Sequence, residues 1–213
     1  MKIFKKSNIF NLLVVLIIIL GLGLRLKNFN VLSVDGHSMR QTDTECVAYF
    51  LYNGKANFFK PKSCLMRPVS NTQGYFFLEM PFYESLIATG YKIFGSEIWV
   101  ARGVNLILYM VGAMALWKFL SLWIDKKTSL LGLLIYSLMP GSIFFVGHAI
   151  HPDVMAVSLI WVALYLILKY SQNNKSRFLV GSGLVMGVSV ASRPFGLIVM
   201  PLLMYFLWKK KSW

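Results

Sequence analysis

Long apolar runs broken by short lysine-bearing loops decide what this chain can fold into. About 20 consecutive apolar residues cross the hydrocarbon core of a bilayer as a helix, and several runs here approach that length. A soluble domain is roughly 45–50% apolar and about 25% charged. These 213 residues are 57% hydrophobic and 14% charged, with a mean hydropathy of +0.62. One soluble core does not absorb that much apolar sequence. The expectation is an all-α membrane protein.

The formal net charge is +14. On a soluble chain this would point to nucleic acid, but no recognition motif accompanies it. The basic residues instead punctuate the apolar runs, as Lys2, Lys5 and Lys6; Lys118, Lys126 and Lys127; Lys169, Lys175 and Arg177; and Lys209 with the two lysines after it. Short loops rich in Lys and Arg mark the cytoplasmic side. The N-terminus resembles a signal peptide, yet Arg25-Leu26-Lys27 follows its apolar run in place of a small-residue cleavage site, so it reads as a retained first span.

The spans fall at about residues 9–24, 98–120, 129–146, 154–168, 178–191 and 195–208, six crossings or partial crossings. The last two share an apolar region of about 31 residues, too few for two full spans and too many for one. A single span would put residues 209–211 outside. Two shortened helices meeting at Ser192-Arg193-Pro194 keep both termini cytoplasmic, with irregular backbone tolerated where protein or a wet cavity surrounds it. The expected location is the plasma membrane, multi-pass, with the polar site outside.

The one long hydrophilic stretch, residues 27 to about 78, then lies outside, within an outer loop of residues 27–97. Its aromatic content argues for packing on the membrane surface. Thr42-Asp43-Thr44-Glu45 fits a capping box, predicting a helix over residues 43–52 closed by Asn53-Gly54. Pro81 opens a second helix, residues 81–94, whose apolar residues Phe82, Leu86, Ile87, Ile93 and Phe94 suit the interface. Cys46 and Cys64 share this loop, either disulfide-bonded or as free thiols.

On this topology seven of the eight acidic residues (Asp35, Asp43, Glu45, Glu79, Glu84, Glu97 and Asp153) are outside and only Asp125 is inside. Asp43 reads either as a first-turn residue stabilised by the helix dipole or as a proton acceptor for a hydroxyl. The dipole would lower its pKa and weaken it as a base. Arg40 either pairs locally or binds a phosphate through its planar fork. Arg193, flanked by apolar helices, needs a partner, a wet cavity or a route to the surface. His148 and His151 have the i, i+3 spacing of metal ligands, but Pro152 breaks the helix, favouring a loop rim with His151 and Asp153 lining a cavity. Glu79 reads as a cap for the second interfacial helix. Nucleotide-binding and nucleophile-elbow motifs are absent from the sequence.

The run His37-Ser-Met-Arg40-Gln41-Thr42-Asp43-Thr44 resembles the first outer loop of polytopic GT-C glycosyltransferases, the group that includes protein O-mannosyltransferases and the lipid A aminoarabinose transferase. The likeness continues through Tyr52-x-Gly54, Glu79-Met80-Pro81, the Tyr-Lys-x-Phe-Gly segment at residues 91–95, and Arg102. His151-Pro152-Asp153 resembles the second outer loop of these enzymes, and Arg193-Pro194 their broken-helix junction. It covers nearly the whole chain. The resemblance implies an inverting glycosyltransferase that takes a sugar from a polyprenyl-phosphate donor, without a nucleotide, to a hydroxyl on a lipid, glycan or protein. Asp43 would be its catalytic carboxylate. Arg40, Gln41, Glu45, Glu79, His151, Asp153 and Arg193 would surround the substrates, with Arg40 and Arg193 on the leaving phosphate. No resident metal is implied, though a divalent cation is compatible. Where some relatives carry Lys-Pro-Pro, this chain has Glu79-Met80-Pro81, which removes a phosphate ligand. Members of the group carry further spans, so the expectation is an N-terminal portion. The competing readings are a transporter or flippase, for which broken helices are also typical, and a non-catalytic fragment of a transferase.

Overall fold

The computed structural model describes residues 2–27, 29–31, 37–64, 74–76 and 78–209, with side chains from residue 9 to residue 208. Asp35, Lys210, Lys211 and the side chains of Lys2, Lys5, Lys6 and Lys209, all used in the charge argument, lie outside the described set. The described residues form helices and connecting loops, with two isolated antiparallel bridges, Asn57 to Lys60 and Lys62 to Tyr75. The helices are α1 (Lys2–Arg25), α2 (Ser38–Tyr52), α3 (Phe82–Phe94), α4 (Ile98–Trp123), α5 (Lys126–Leu138), α6 (Pro140–Gly147), α7 (Asp153–Asn173), α8 (Ser176–Ser192) and α9 (Met200–Lys209), with a 3-10 helix, Pro194–Val199, before the last.

By length and composition two helices suffice to cross a membrane, α4 and α7; counting α5 and α6 as one bent span makes three. Of the six crossings or partial crossings expected, Ile9–Arg25, α8 and residues 194–208 are shorter apolar helices. The span expected at residues 129–146 is bent by 55° between α5 and α6. Pro140 causes the break, because it has no N–H for the preceding turn and its ring excludes a straight continuation.

Arg25 closes that break. It is 1% exposed, and its Nη1 donates to Ser137 O at 2.9 Å and Gly21 O at 2.7 Å, while Nη2 donates to Ser142 Oγ at 2.6 Å. The guanidinium lies 3.9 Å over the Tyr109 ring, whose hydroxyl donates to Ser137 Oγ at 2.8 Å. A carbonyl near a helix break needs a donor from elsewhere when no water reaches it. Gly147 permits the approach, since a Cβ there would sit 2.6 Å from Arg25 O.

Two apolar clusters hold the helices together. One joins α1 to α7 through Val14, Ile18, Ala48, Tyr83, Ile87, Ala101, Tyr109, Leu133 and Ile150. The other joins α4, α7, α8 and α9 through Phe119, Ala163, Leu164, Met186 and Phe206. At the α4–α7 crossing a Cβ on Gly112 would meet Ser158 Cα at 3.0 Å, so the close backbone approach needs a glycine. The short turn at Asn174, in the left-handed region, reverses the chain between α7 and α8. The starts of α4 and α7 and the end of α8 thus share one end of the bundle, and α4 carries the chain about 39 Å to the other.

Replacing Arg25 by alanine should lower the thermal unfolding midpoint in detergent sharply, consistent with about 3 kcal/mol or more for several lost buried bonds. Arg25→Lys should recover only part of it, because one ammonium does not reproduce the fork. A midpoint within a degree of wild type for Arg25→Ala would contradict the role given to this contact.

Candidate functional site

α2 begins at Ser38, not at Asp43. Thr42, read as the cap of that box, sits inside the helix and, like Thr44, bonds backwards: Thr42 Oγ1 donates to Ser38 O at 2.9 Å and Thr44 Oγ1 to Arg40 O at 3.0 Å. Asp43 is therefore a second-turn residue, and the dipole of the helix end does not act on it as expected. Burial does. Loss of water raises the Asp43 pKa above the ordinary carboxylate value, and the Arg40 guanidinium opposes this without cancelling it. A carboxylate raised in this way is the better base.

Four remote segments meet here. Arg40 Nη1 lies 3.4 Å from Asp43 Oδ2, and Arg40 Nη2 pairs with Glu79 Oε1. Arg193 Nη1 lies 3.1 Å from Glu79 Oε2, and its Nε 2.5 Å from Asp153 Oδ1. His151 Nδ1 is 3.0 Å from Asp153 Oδ2, and Arg193 Nη2 is 3.1 Å from the same ring. The result is one alternating chain of charge, Asp43, Arg40, Glu79, Arg193 and Asp153, with the His151 ring against its end. Glu79 is its centre, with a side chain 1% exposed. It does not cap α3, whose first residue is Phe82 and whose N-cap, Pro81, makes no side-chain cap bond. Met80 N donates to Ala191 O at 3.1 Å, which docks this loop on the end of α8 beside Arg193. The Arg40 Nε–H is buried without a hydrogen-bond partner among the described residues.

The other expected residues are placed apart. Gln41 is fully buried, and its Oε1 accepts from Ile150 N at 3.2 Å, fixing the loop that carries His151. Glu45 faces away from the charge chain, toward Arg102 and Tyr91, and burial raises its pKa with Arg102 opposing. Arg102 donates to Phe29 O at 2.6 Å. His148 caps α6, edge-on to Phe144 at 5.9 Å, while His151 joins Arg193 and Asp153 instead. Among the described residues no group of three His, Cys, Asp or Glu side chains is arranged to hold a metal.

Three contributions escaped the sequence. Ser63 Oγ donates to Asp43 Oδ1. Tyr83 donates to Asn105 Oδ1 at 2.6 Å, and Asn105 Nδ2 to Ala149 O at 2.7 Å, which holds the His151 loop from below. Glu84 is fully buried, and neither of its oxygens has a hydrogen-bond partner among the described residues. Burial first, then the Glu79 charge, pushes its pKa up to about 8. Its burial follows from the rotation of α3. The inward face is Tyr83, Glu84, Ile87, Ala88 and Tyr91, while Leu86, Ile93 and Phe94, expected on one apolar face with Ile87, are exposed. A reading of α3 as facing inward through residue 84 would have flagged it.

Apolar helices packed beneath a partly buried ionised cluster define an integral membrane protein with a polar site at one end. Residues 79–213, well over half of the chain, match the family model described as dolichyl-phosphate-mannose-protein mannosyltransferase. The chain belongs to that family, and the family is one of glycosyltransferases of GT-C type. The matched stretch carries Glu79, Glu84, Asn105, His151, Asp153 and Arg193; Arg40 and Asp43 precede it. No curated protein and no solved structure matches the chain.

The Glu84 carboxyl gives a pH signature. Unfolded, a glutamate releases its proton near its ordinary value of 4.5; folded, this one keeps it to about 8. Between those values the folded state holds the extra proton, so stability falls as pH rises through the window. The unfolding midpoint in detergent should drop between pH 5 and 8, and Glu84→Gln should flatten the profile. Parallel profiles for the two proteins would contradict the placement.

Proposed function

We propose that this chain transfers a sugar from a polyprenyl-phosphate carrier to a hydroxyl-bearing acceptor, with inversion, at the outer face of the plasma membrane. The carrying observation is that Arg40 and Arg193, from α2 and the far end of α8, meet on opposite oxygens of Glu79, with Asp43 one contact away. Two guanidinium forks side by side suit a leaving phosphate, whose charge grows as its bond to the sugar breaks. Asp43 accepts the acceptor hydroxyl proton as that oxygen attacks the anomeric carbon. Its raised pKa serves that step. Glu79 is the resident counter-ion, and the entering phosphate competes with it for the arginines.

Other features support this reading. An apolar groove of about 400 Å³ between α7, α8 and α9 is lined by Met186, Val190, Leu197, Met200 and Leu203, residues on both sides of Arg193 in the chain. It offers the polyprenyl tail a path away from the phosphate. For the outer location, the Cys46–Cys64 disulfide belongs in an oxidising compartment. Lys126, Lys127 and Lys175 lie at the opposite end of the bundle. A transporter would place its ionisable groups near mid-membrane; these sit at helix ends. No organic cofactor enters, and Asp153 and His151 shape the pocket rim.

A panel of radiolabelled polyprenyl-phosphate sugars offered to membranes containing the protein should yield transfer from at least one donor. With that donor, Asp43→Asn should lose at least about 100-fold in turnover while remaining folded in the membrane. Arg193→Ala should raise the donor KM about tenfold or more. Wild-type turnover by Asp43→Asn would return Asp43 to a structural role, and an unchanged donor KM for Arg193→Ala would count against the phosphate assignment.

A further inference from the structure

The loop between α2 and α3 sends one side chain to Asp43, and that side chain is restrained more tightly than an outer loop requires. Ser63 is 1% exposed and donates its hydroxyl hydrogen to Asp43 Oδ1. Three restraints fix it. The neighbouring residue, Cys64, is disulfide-bonded to Cys46 on α2, with Cα atoms 6.0 Å apart. Cys64 N also donates to Cys46 Sγ at 3.0 Å. Ser63 N donates to Gly74 O at 2.9 Å, and Phe76 N to Pro61 O at 2.9 Å, a short ladder that clasps residues 61–63 against 74–76.

The register gives these restraints a purpose. Asp43 and Cys46 stand three apart on α2, so they share one helix face. A covalent tie at Cys46 therefore sets the loop directly over Asp43. The Asp43 carboxylate then has two unlike oxygens. Oδ1 is engaged by Ser63. Oδ2 faces Arg40 at 3.4 Å, beyond the range of a strong hydrogen bond, and takes no other hydrogen bond among the described residues. A carboxylate with one oxygen pinned cannot spin away from an incoming hydroxyl, and this pre-arrangement is what a general base needs.

We propose that Ser63 is a positioning residue for Asp43: it pins Oδ1, leaves Oδ2 to take the acceptor proton, and is held in register by the Cys46–Cys64 disulfide. This rests on the assignment of Asp43 as the base. It makes transfer dependent on an oxidised loop, although neither cysteine touches substrate.

The test uses the full chain in membranes and the labelled donor that wild type turns over. Ser63→Ala should lower kcat about tenfold or more with the donor KM within twofold of wild type. Ser63→Thr, which keeps the hydroxyl, should recover most of the loss. Reducing the folded enzyme with a membrane-impermeant phosphine should cost a similar factor without a refolding step. Because both losses run through one hydrogen bond, reduction should cost Ser63→Ala little more. Wild-type kcat in Ser63→Ala, or losses from reduction and mutation that multiply, would overturn the proposal. If Asp43→Asn is inactive while Ser63→Ala is unaffected, the base assignment stands and only the positioning role falls. An active Asp43→Asn removes both.

Discussion

Two arginines drawn together beside apolar helices repel each other, and burying either without a counter-charge costs several kcal/mol. Glu79 resolves this by giving one carboxylate oxygen to Arg40 and the other to Arg193. That shared carboxylate joins the loop before α3 to α2 on one side and to the α8 junction on the other. Asp43 reaches the cluster through Arg40, and Asp153 and His151 through Arg193. Without Glu79 the elements lose their common electrostatic reason to meet. Glu84 behind it, protonated over most of the physiological range, adds no further negative charge there.

The same arrangement makes the site responsive to an anion. Each guanidinium carries five N–H donors, and the Arg40 Nε–H has no hydrogen-bond partner among the described residues. On the proposed reading, a phosphate would find donors as well as a competitor. The break at Ser192-Arg193-Pro194 matters for this reason. Arg193 has extended backbone between α8 and the 3-10 helix, which ends the helix and leaves its side chain among acidic groups from other elements. The break at Pro140 does a different job: it turns α6 toward the His151 loop, and Arg25 replaces the donors lost there.

Much of this was legible in the residues. Long apolar runs gave α4 and α7, and Arg193-Pro194 marked a real interruption. Arg40, Asp43, Glu79, His151, Asp153 and Arg193 were named together through the family resemblance, and the fold brings these six together, while Gln41 and Glu45, named with them, lie apart. What was misread depended on competition between local signals. The threonine at position 42 has the chemistry of a cap, yet the helix starts four residues earlier and uses that hydroxyl inside. Pro140 sat in an apolar run read as continuous, although its missing N–H was visible. The apolar residues of α3 were read for the interface and its packed face was left unassigned; that face contains Tyr83 and Glu84. Ser63 lies 20 residues from Asp43; no local pattern links them, and only the tertiary path of the loop does.

The central claim is direct displacement on a lipid-borne sugar, with one carboxylate taking the proton and two arginines receiving the phosphate. A mechanism of that kind inverts the anomeric centre once, because no covalent sugar–enzyme intermediate intervenes. The most direct measurement is the anomeric configuration of the transferred sugar, determined by NMR on product made from a polyprenyl-phosphate donor of known configuration. The account predicts the configuration opposite to the donor's. Retention would mean a second displacement and a protein nucleophile, and would contradict it.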